Sequence, residues 1–466
     1  MLPVEAAAIW SLLAGYLLLP SGTQVDLPLL PPIDKASIAA VSALLLCWLK
    51  GFRSGPKIRS PWAYLLVAAF VLSPILTSLE NSYELQIPGG SIPGFYPLDG
   101  LKYAGRNLIE IIPLYIGARL LWTDESKILL LKCVPVAALF YSLPMLLEVR
   151  LSPQLHAWVY GYYPQSFNMT VRNGGFRPVV FLTNGLQVAL FASMATIAAV
   201  IAVRAKWRIF NFSAAAVSSY LGFILILCKS LGSALYAAVL TPLVLFTRPR
   251  LWARIACVVM CLICAYPMLR WHGIIPVHHL SEVATTVSLD RSESLKTRVQ
   301  NEDQLLAKAN EKPMLGWGAW GRNRVYDRYT GRDISLTDGR WIIQYGTFGW
   351  LGYLSLFGLL TLAAFRAARS LSDQITPANI AVGGLSLLLA TNMIDLLPNS
   401  SLSPITFLIA GSMLSATRVR RAAGPGLVRG RAELVRSAES EQRAITPQIP
   451  KTRRPGIAFK TENTDF

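Results

Sequence analysis

Apolar runs of roughly 18–25 residues recur along nearly the whole of this 466-residue chain, and no other feature constrains its fold so tightly. Each run is long enough to cross a hydrocarbon layer about 30 Å thick, where a helix satisfies its own backbone hydrogen bonds. Charged residues form only 15% of the sequence, against about 25% in soluble domains. The fold class read from these runs is an all-α polytopic integral membrane protein.

About twelve spans result. They cover about Val4–Pro20, Ala36–Leu49, Pro61–Leu79, Leu101–Leu121, Lys127–Leu147, Pro178–Val203, Phe210–Leu227 and Leu231–Phe246. A ninth ends near Arg270, and Trp341–Phe365, Ile380–Leu397 and Ser401–Ala416 complete the set. Residues 1–270 thus hold nine spans, 271–340 one large polar loop, and 341–417 three more spans. Residues 418–466 are a basic tail without apolar periodicity, expected to be unstructured.

The net charge of +18 does not point to a nucleic-acid partner, because the basic residues fall between spans and in the tail. Lys50, Arg53, Lys57 and Arg59 precede the third span; Arg204, Lys206 and Arg208 follow the sixth; Arg248, Arg250 and Arg254 follow the eighth. The positive-inside rule then places both termini in the cytoplasm and both long loops outside. The first span has no basic leader or small-residue cleavage site and reads as retained. Cys257, Cys261 and Cys264 have an iron–sulfur-like spacing, but they sit on one face of an apolar run with no loop to wrap a cluster, so they read as small hydrophobes. His278 and His279 are adjacent and diverge, no dense Asp/His set points to a metal, and no cofactor is expected.

The two long outer loops are rich in arginine, against the charge rule. Residues 148–177 carry Arg150, Arg172 and Arg177 among Trp158, Tyr160, Tyr162, Tyr163 and Phe167. The stretch from Asp290 to Gly352 is the longest densely charged segment. It opens as a helix, with Asp290 and Glu293 in a capping box and an apolar stripe of Leu295, Val299, Leu306 and Ala309. Arg291 and Arg298 lie on one face of it. Ordinary solvated charges account for such a helix as well as a ligand does. Gly316-Trp-Gly-Ala-Trp-Gly321 then allows a turn whose N–H groups can meet a phosphate. Trp317 and Trp320 either stack on a sugar or anchor at the membrane interface, the anchor being preferred for at least one. Arg322, Arg324, Arg328 and Arg332 follow, interleaved with Tyr326 and Tyr329; guanidinium forks match phosphate geometry. Asp338 either accepts a proton or caps the tenth span. Within the spans, Arg106 and Glu110 stand four apart, as an ion pair or part of a pathway, and Asp395 with Asn392 and Asn399 lies near the outer end of the eleventh.

Arg298, then Pro313-Met-Leu-Gly316-Trp-Gly318, then Asp338 and Gly346-x-x-Gly349 together resemble the O-antigen ligase/polymerase family of bacterial inner-membrane enzymes. A looser likeness lies in Asn173-Gly-Gly-Phe-Arg-Pro178 with Asn184-Gly185. The resemblance implies a GT-C-like architecture and metal-independent glycosyl transfer from an undecaprenyl-diphosphate-linked glycan at the periplasmic face, in exopolysaccharide or O-antigen biosynthesis. It implies catalytic roles for Asp338 and Arg298 and diphosphate binding by Arg291, Arg322, Arg324, Arg328 and Arg177, with Trp317 and Tyr326 against the sugar. The implied partners are the lipid-linked glycan, membrane lipids and other polysaccharide-assembly proteins. Many members have a histidine where Asp338-Gly339 stands here, which makes Asp338 the candidate base. A flippase for lipid-linked oligosaccharide is the rival class, disfavoured by the lack of internal repeats and the late concentration of polar residues.

Overall fold

The computed structural model describes residues 3–415 except 28–29, 51–54, 56, 59, 173 and 276–288; the side chains of 289–295 and 297 also lie outside the described residues. The capping box at Asp290 and Glu293, the His278-His279 pair and the tail 418–466 therefore fall outside the description.

The apolar runs fold as helices, and 68% of the structure is helical, with the architecture of an all-α membrane protein. In chain order the helices are α1 (Val4–Leu18), α2 (Lys35–Leu49), α3 (Pro61–Glu80), α4 (Pro97–Glu110), α5 (Ile112–Leu120), α6 (Asp124–Leu151), α7 (Leu155–Tyr160) and α8 (Gly185–Arg204). They continue as α9 (Ala214–Leu227), α10 (Leu231–Phe246), α11 (Pro249–Trp271), α12 (Leu289–Asn310), α13 (Arg340–Ser370), α14 (Pro377–Asp395) and α15 (Pro404–Leu414). Among the described residues six are long and apolar enough to cross a membrane: α3, α6, α8, α11, α13 and α14. Five more, α1, α2, α9, α10 and α15, are apolar but shorter.

Local chemistry sets the ends. Side chains of Asp34, Ser60, Thr123, Asn184, Ser213, Thr376 and Ser403 accept from N–H groups of the first turns they precede. The fourth run is two helices rather than one continuous span. The break falls at Ile111, just before Pro113, which lacks an N–H and crowds the preceding turn. Pro74 inside α3 likewise leaves the Phe70 carbonyl without its helical donor. Asn107 of α4 supplies one at 2.8 Å and Ser73 another at 3.1 Å. A polar group freed by proline in an apolar bundle is thus satisfied by a neighbouring helix, which ties α3 to α4.

α8 and α14 are enclosed on most sides, whereas α3 and α11 are largely exposed. The outward faces carry Trp48, Leu49, Trp62, Leu65, Phe140 and Phe246, an apolar exterior suited to lipid. Three antiparallel hairpins decorate the connections: β1 (Leu85–Ile87) with β2 (Gly90–Ile92), β3 (Val171–Arg172) with β4 (Gly175–Phe176), and β5 (Arg208–Ile209) with β6 (Phe212–Ser213). Met1–Thr417 form one compact unit. At one end of the bundle the connections bind one another. Tyr162 donates to the Ser21 carbonyl, and Arg322 reaches the Tyr83 and Pro93 carbonyls.

Candidate functional site

α13 is broken at Gly349, whose φ of 62° and ψ of −161° interrupt its helix. The Pro313–Gly318 segment fills the break. Trp350 N–H donates to the Pro313 carbonyl at 2.7 Å and Leu351 N–H to Met314 at 3.2 Å. In the other direction, Trp317 and Gly318 N–H donate to the Gly346 and Thr347 carbonyls, each at 2.9 Å. A Cβ on Gly316 would lie 2.5 Å from the Thr347 backbone, and one on Gly349 would lie 2.4 Å from Met314. The two glycine motifs are therefore the two sides of one backbone clamp. The N–H groups of Gly316, Trp317 and Gly318 are occupied, so these three are not open to a phosphate.

The clamp also fixes two residues expected at the sugar. Trp317 is buried, donates from Nε1 to the Lys308 carbonyl at 2.7 Å, and lies under the Lys308 ammonium at 3.6 Å. It is neither a sugar platform nor a membrane anchor. Tyr326 turns back to the Gly321 carbonyl at 3.0 Å. Arg322 is 0% exposed and donates to three backbone carbonyls, those of Trp317, Tyr83 and Pro93. Expected at a diphosphate, it instead staples the turn to the loop before α4. Arg328 is exposed on the surface, and the Arg291 side chain lies outside the described residues.

Other candidates do converge. A cavity of about 680 Å³ opens where the β3–β4 hairpin, the start of α8, the middle of α12, the residues before α13 and the α14–α15 connection meet. Arg172, Arg177 and Arg298 line it, with Asp338 as its one carboxylate among the described residues. Amide and hydroxyl groups of Asn168, Asn184, Gln187, Asn399 and Ser401 complete the wall. Arg298 Nε lies 3.4 Å from Asp338 Oδ2, so the two residues read as catalytic are a half-exposed ion pair. Arg177 is only 4% exposed. Its Nη2 donates to the Lys229 carbonyl at 2.9 Å, and its buried Nε has no partner among the described residues. Burial, with Arg172 adding, pushes its guanidinium down to about 10, which leaves it cationic at neutral pH.

The scaffold explains why Arg177 sits there. Glu148, at the end of α6, accepts from the N–H groups of Val179, Val180 and Leu155 and so fixes the strand leading to α8. Arg177 then lies flat on the first turn of α8, where a Cβ on Gly185 would be 2.1 Å from its Cδ. Beneath the cavity, Asp395 accepts from Asn399 Nδ2 at 3.0 Å and from Ser401 Oγ, holding two wall residues in place. Arg106 and Glu110 do not pair with each other: Arg106 faces Asp34 at 4.0 Å, and Glu110 faces Arg340 at 3.5 Å.

Glu302 was not singled out from sequence, although it stands four residues after Arg298 on the same helix face, the one signal that marks it. With Tyr266, Arg298 and Asp338 it lines a recess of about 170 Å³. Burial lifts its carboxyl to about 7, against the pull of the Trp341 indole and Arg270. Because the folded pKa exceeds the unfolded one, the folded state binds the extra proton, and stability falls as pH rises from about 4.5 through 7. Glu302→Gln is therefore expected to raise the melting midpoint more at pH 8 than at pH 5. An increment independent of pH would show that this carboxyl does not titrate in that window.

No family model matches the chain, and no curated protein does.

Proposed function

We propose that this protein transfers a glycan from a lipid diphosphate carrier to an acceptor hydroxyl at the membrane surface, as an O-antigen ligase/polymerase-like enzyme. The observation that carries the reading is the cavity with, among the described residues, three arginines to one carboxylate at the end of an apolar helical bundle. Three guanidinium groups, two of them without a carboxylate partner among the described residues, suit a diphosphate. The N-terminus of α8 beside them adds its positive dipole end. Asn168, Gln187, Asn399 and Ser401 offer the donors and acceptors that sugar hydroxyls require.

Bond breaking puts negative charge on the departing diphosphate, where Arg172, Arg177 and Arg298 stabilise it. The acceptor oxygen bonds to the anomeric carbon as the carbon–phosphate-oxygen bond breaks, and Asp338 takes the hydroxyl proton. On this reading α4 and α5 form one broken span which, with the six long and five shorter apolar helices, gives twelve crossings in a GT-C-like arrangement. The basic connections at Arg119, Lys206, Arg250 and Arg369 lie at the end of the bundle away from the cavity. The positive-inside rule then puts the termini in the cytoplasm and the cavity at the periplasmic face of a bacterial inner membrane.

Deleting the gene and sizing the lipid-linked intermediates tests this. Single repeat units on the outer leaflet are expected of a polymerase, and long lipid-linked polymer of a ligase. Units trapped on the cytoplasmic leaflet overturn the reading in favour of a flippase, and so does a topology reporter at Tyr329 that scores cytoplasmic.

A further inference from the structure

A second cavity, about 260 Å³, lies between α4, the glycine turn and the first part of α13. Thr337 lines both cavities, and Asp338, the next residue, faces the first. Thr337 is thus a wall the two cavities share.

The electrostatics of the two differ. Arg106, Arg324 and Arg340 line the second cavity, yet each faces a carboxylate: Asp34 at 4.0 Å, Asp333 at 2.6 Å and Glu110 at 3.5 Å. Each lining holds three arginines to one carboxylate among the described residues. In the first cavity only Arg298 is paired with a carboxylate among those residues, so the pairing of all three here leaves less field to gather a polyanion. They do supply paired donors and acceptors, which match neighbouring hydroxyls on a ring. Asn323 adds an amide.

Trp320 stands over this neutral polar wall, 51% exposed, with Tyr103 edge-on at 6.3 Å. Its φ of 62° is left-handed, a conformation that any residue with a Cβ adopts at a cost. The turn thus spends its strained position on the one residue that presents an indole to the cavity. An aromatic face beside convergent hydrogen-bonding groups suits a sugar ring, whose C–H face is apolar and whose edge is polar.

We propose that the second cavity is a saccharide subsite for the acceptor glycan, with Trp320 as its platform and Asn323 and the Glu110–Arg340 pair as hydroxyl partners. That the saccharide is the acceptor rests on the transferase reading; that the ligand is a saccharide rests on the cavity itself. An acceptor seated there has its growing end beside Thr337, within reach of Asp338.

Two measurements on the full-length protein in nanodiscs separate these claims. In the first, oligosaccharides released by mild acid from the cell's own surface polysaccharide are titrated calorimetrically. Wild type should bind, and Trp320→Ala should bind about tenfold more weakly, with Trp320→Phe between them. Asn323→Ala, a change away from the strained position, should weaken binding as well. Wild type that takes up no saccharide, or variants that bind as wild type does, overturn the subsite. In the second, transfer is followed with lipid-linked donor extracted from the deletion strain. Trp320→Ala should raise KM for the acceptor and leave KM for the donor in place; the reverse split overturns the assignment to the acceptor. If wild type makes no product, the transferase reading falls, and the titration alone decides whether the cavity holds a saccharide.

Discussion

Arg298→Ala should slow transfer about ten- to a hundredfold at unchanged protein level. A charge-assisted hydrogen bond contributes roughly 1.5–3 kcal/mol, and the charge on a leaving diphosphate is greatest in the transition state. Arg298→Lys should recover only part of the rate, because lysine keeps the charge without the fork. The contrast with Arg322 gives the test its resolution. Arg322 lies wholly inside the protein on three backbone carbonyls, so Arg322→Ala should cost folded protein, not the turnover of what remains folded. Arg328→Ala, at an exposed position outside the cavities described, should change neither. A purified assay with lipid-linked donor, normalised to monodisperse protein, reads all three. Full activity of Arg298→Ala would remove the arginine clamp from the mechanism and leave α12 as a structural brace.

Gly349→Ala should be among the most damaging single substitutions in the chain. Its φ and ψ fall in a region open essentially only to glycine, and the added Cβ meets the Met314 carbonyl group at 2.4 Å. Gly316→Ala meets the same clamp from the other side. Each should destabilise by about 3 kcal/mol or more, combining backbone strain with a backbone clash that no side-chain rotation relieves. Gly89 is the control. It has a φ of 83°, but a Cβ there has nothing within 4 Å, so Gly89→Ala should cost about 1 kcal/mol. Size-exclusion yield and melting midpoint of detergent-solubilised protein measure the difference. Equal behaviour of the three would mean that the loop does not brace the broken helix.

Hydropathy is a local property, and what depends on it was legible from the sequence alone. The apolar runs are helices, and α12 buries Val299, Leu306 and Ala309 as its spacing predicts, although the helix of the sixth run starts at Gly185, capped by Asn184, and not at Pro178. The division of labour among the arginines was not legible. Arg177, Arg298 and Arg322 are one residue type, all in the two long arginine-rich connections between apolar runs. Whether a guanidinium faces a cavity or three buried carbonyls is decided by chain segments far away in sequence, from Tyr83, Pro93 and Lys229. The glycines show the same limit. Their flexibility is visible in the sequence, but Gly316 and Gly349 become partners only once α13 breaks and the loop folds back to satisfy its open backbone groups. The chain by itself determined which segments are helical, because a helix in an apolar setting closes its hydrogen bonds within a few residues. Only the tertiary structure decided which charges remain open to a ligand, because the pairing of buried polar groups is settled between segments hundreds of residues apart.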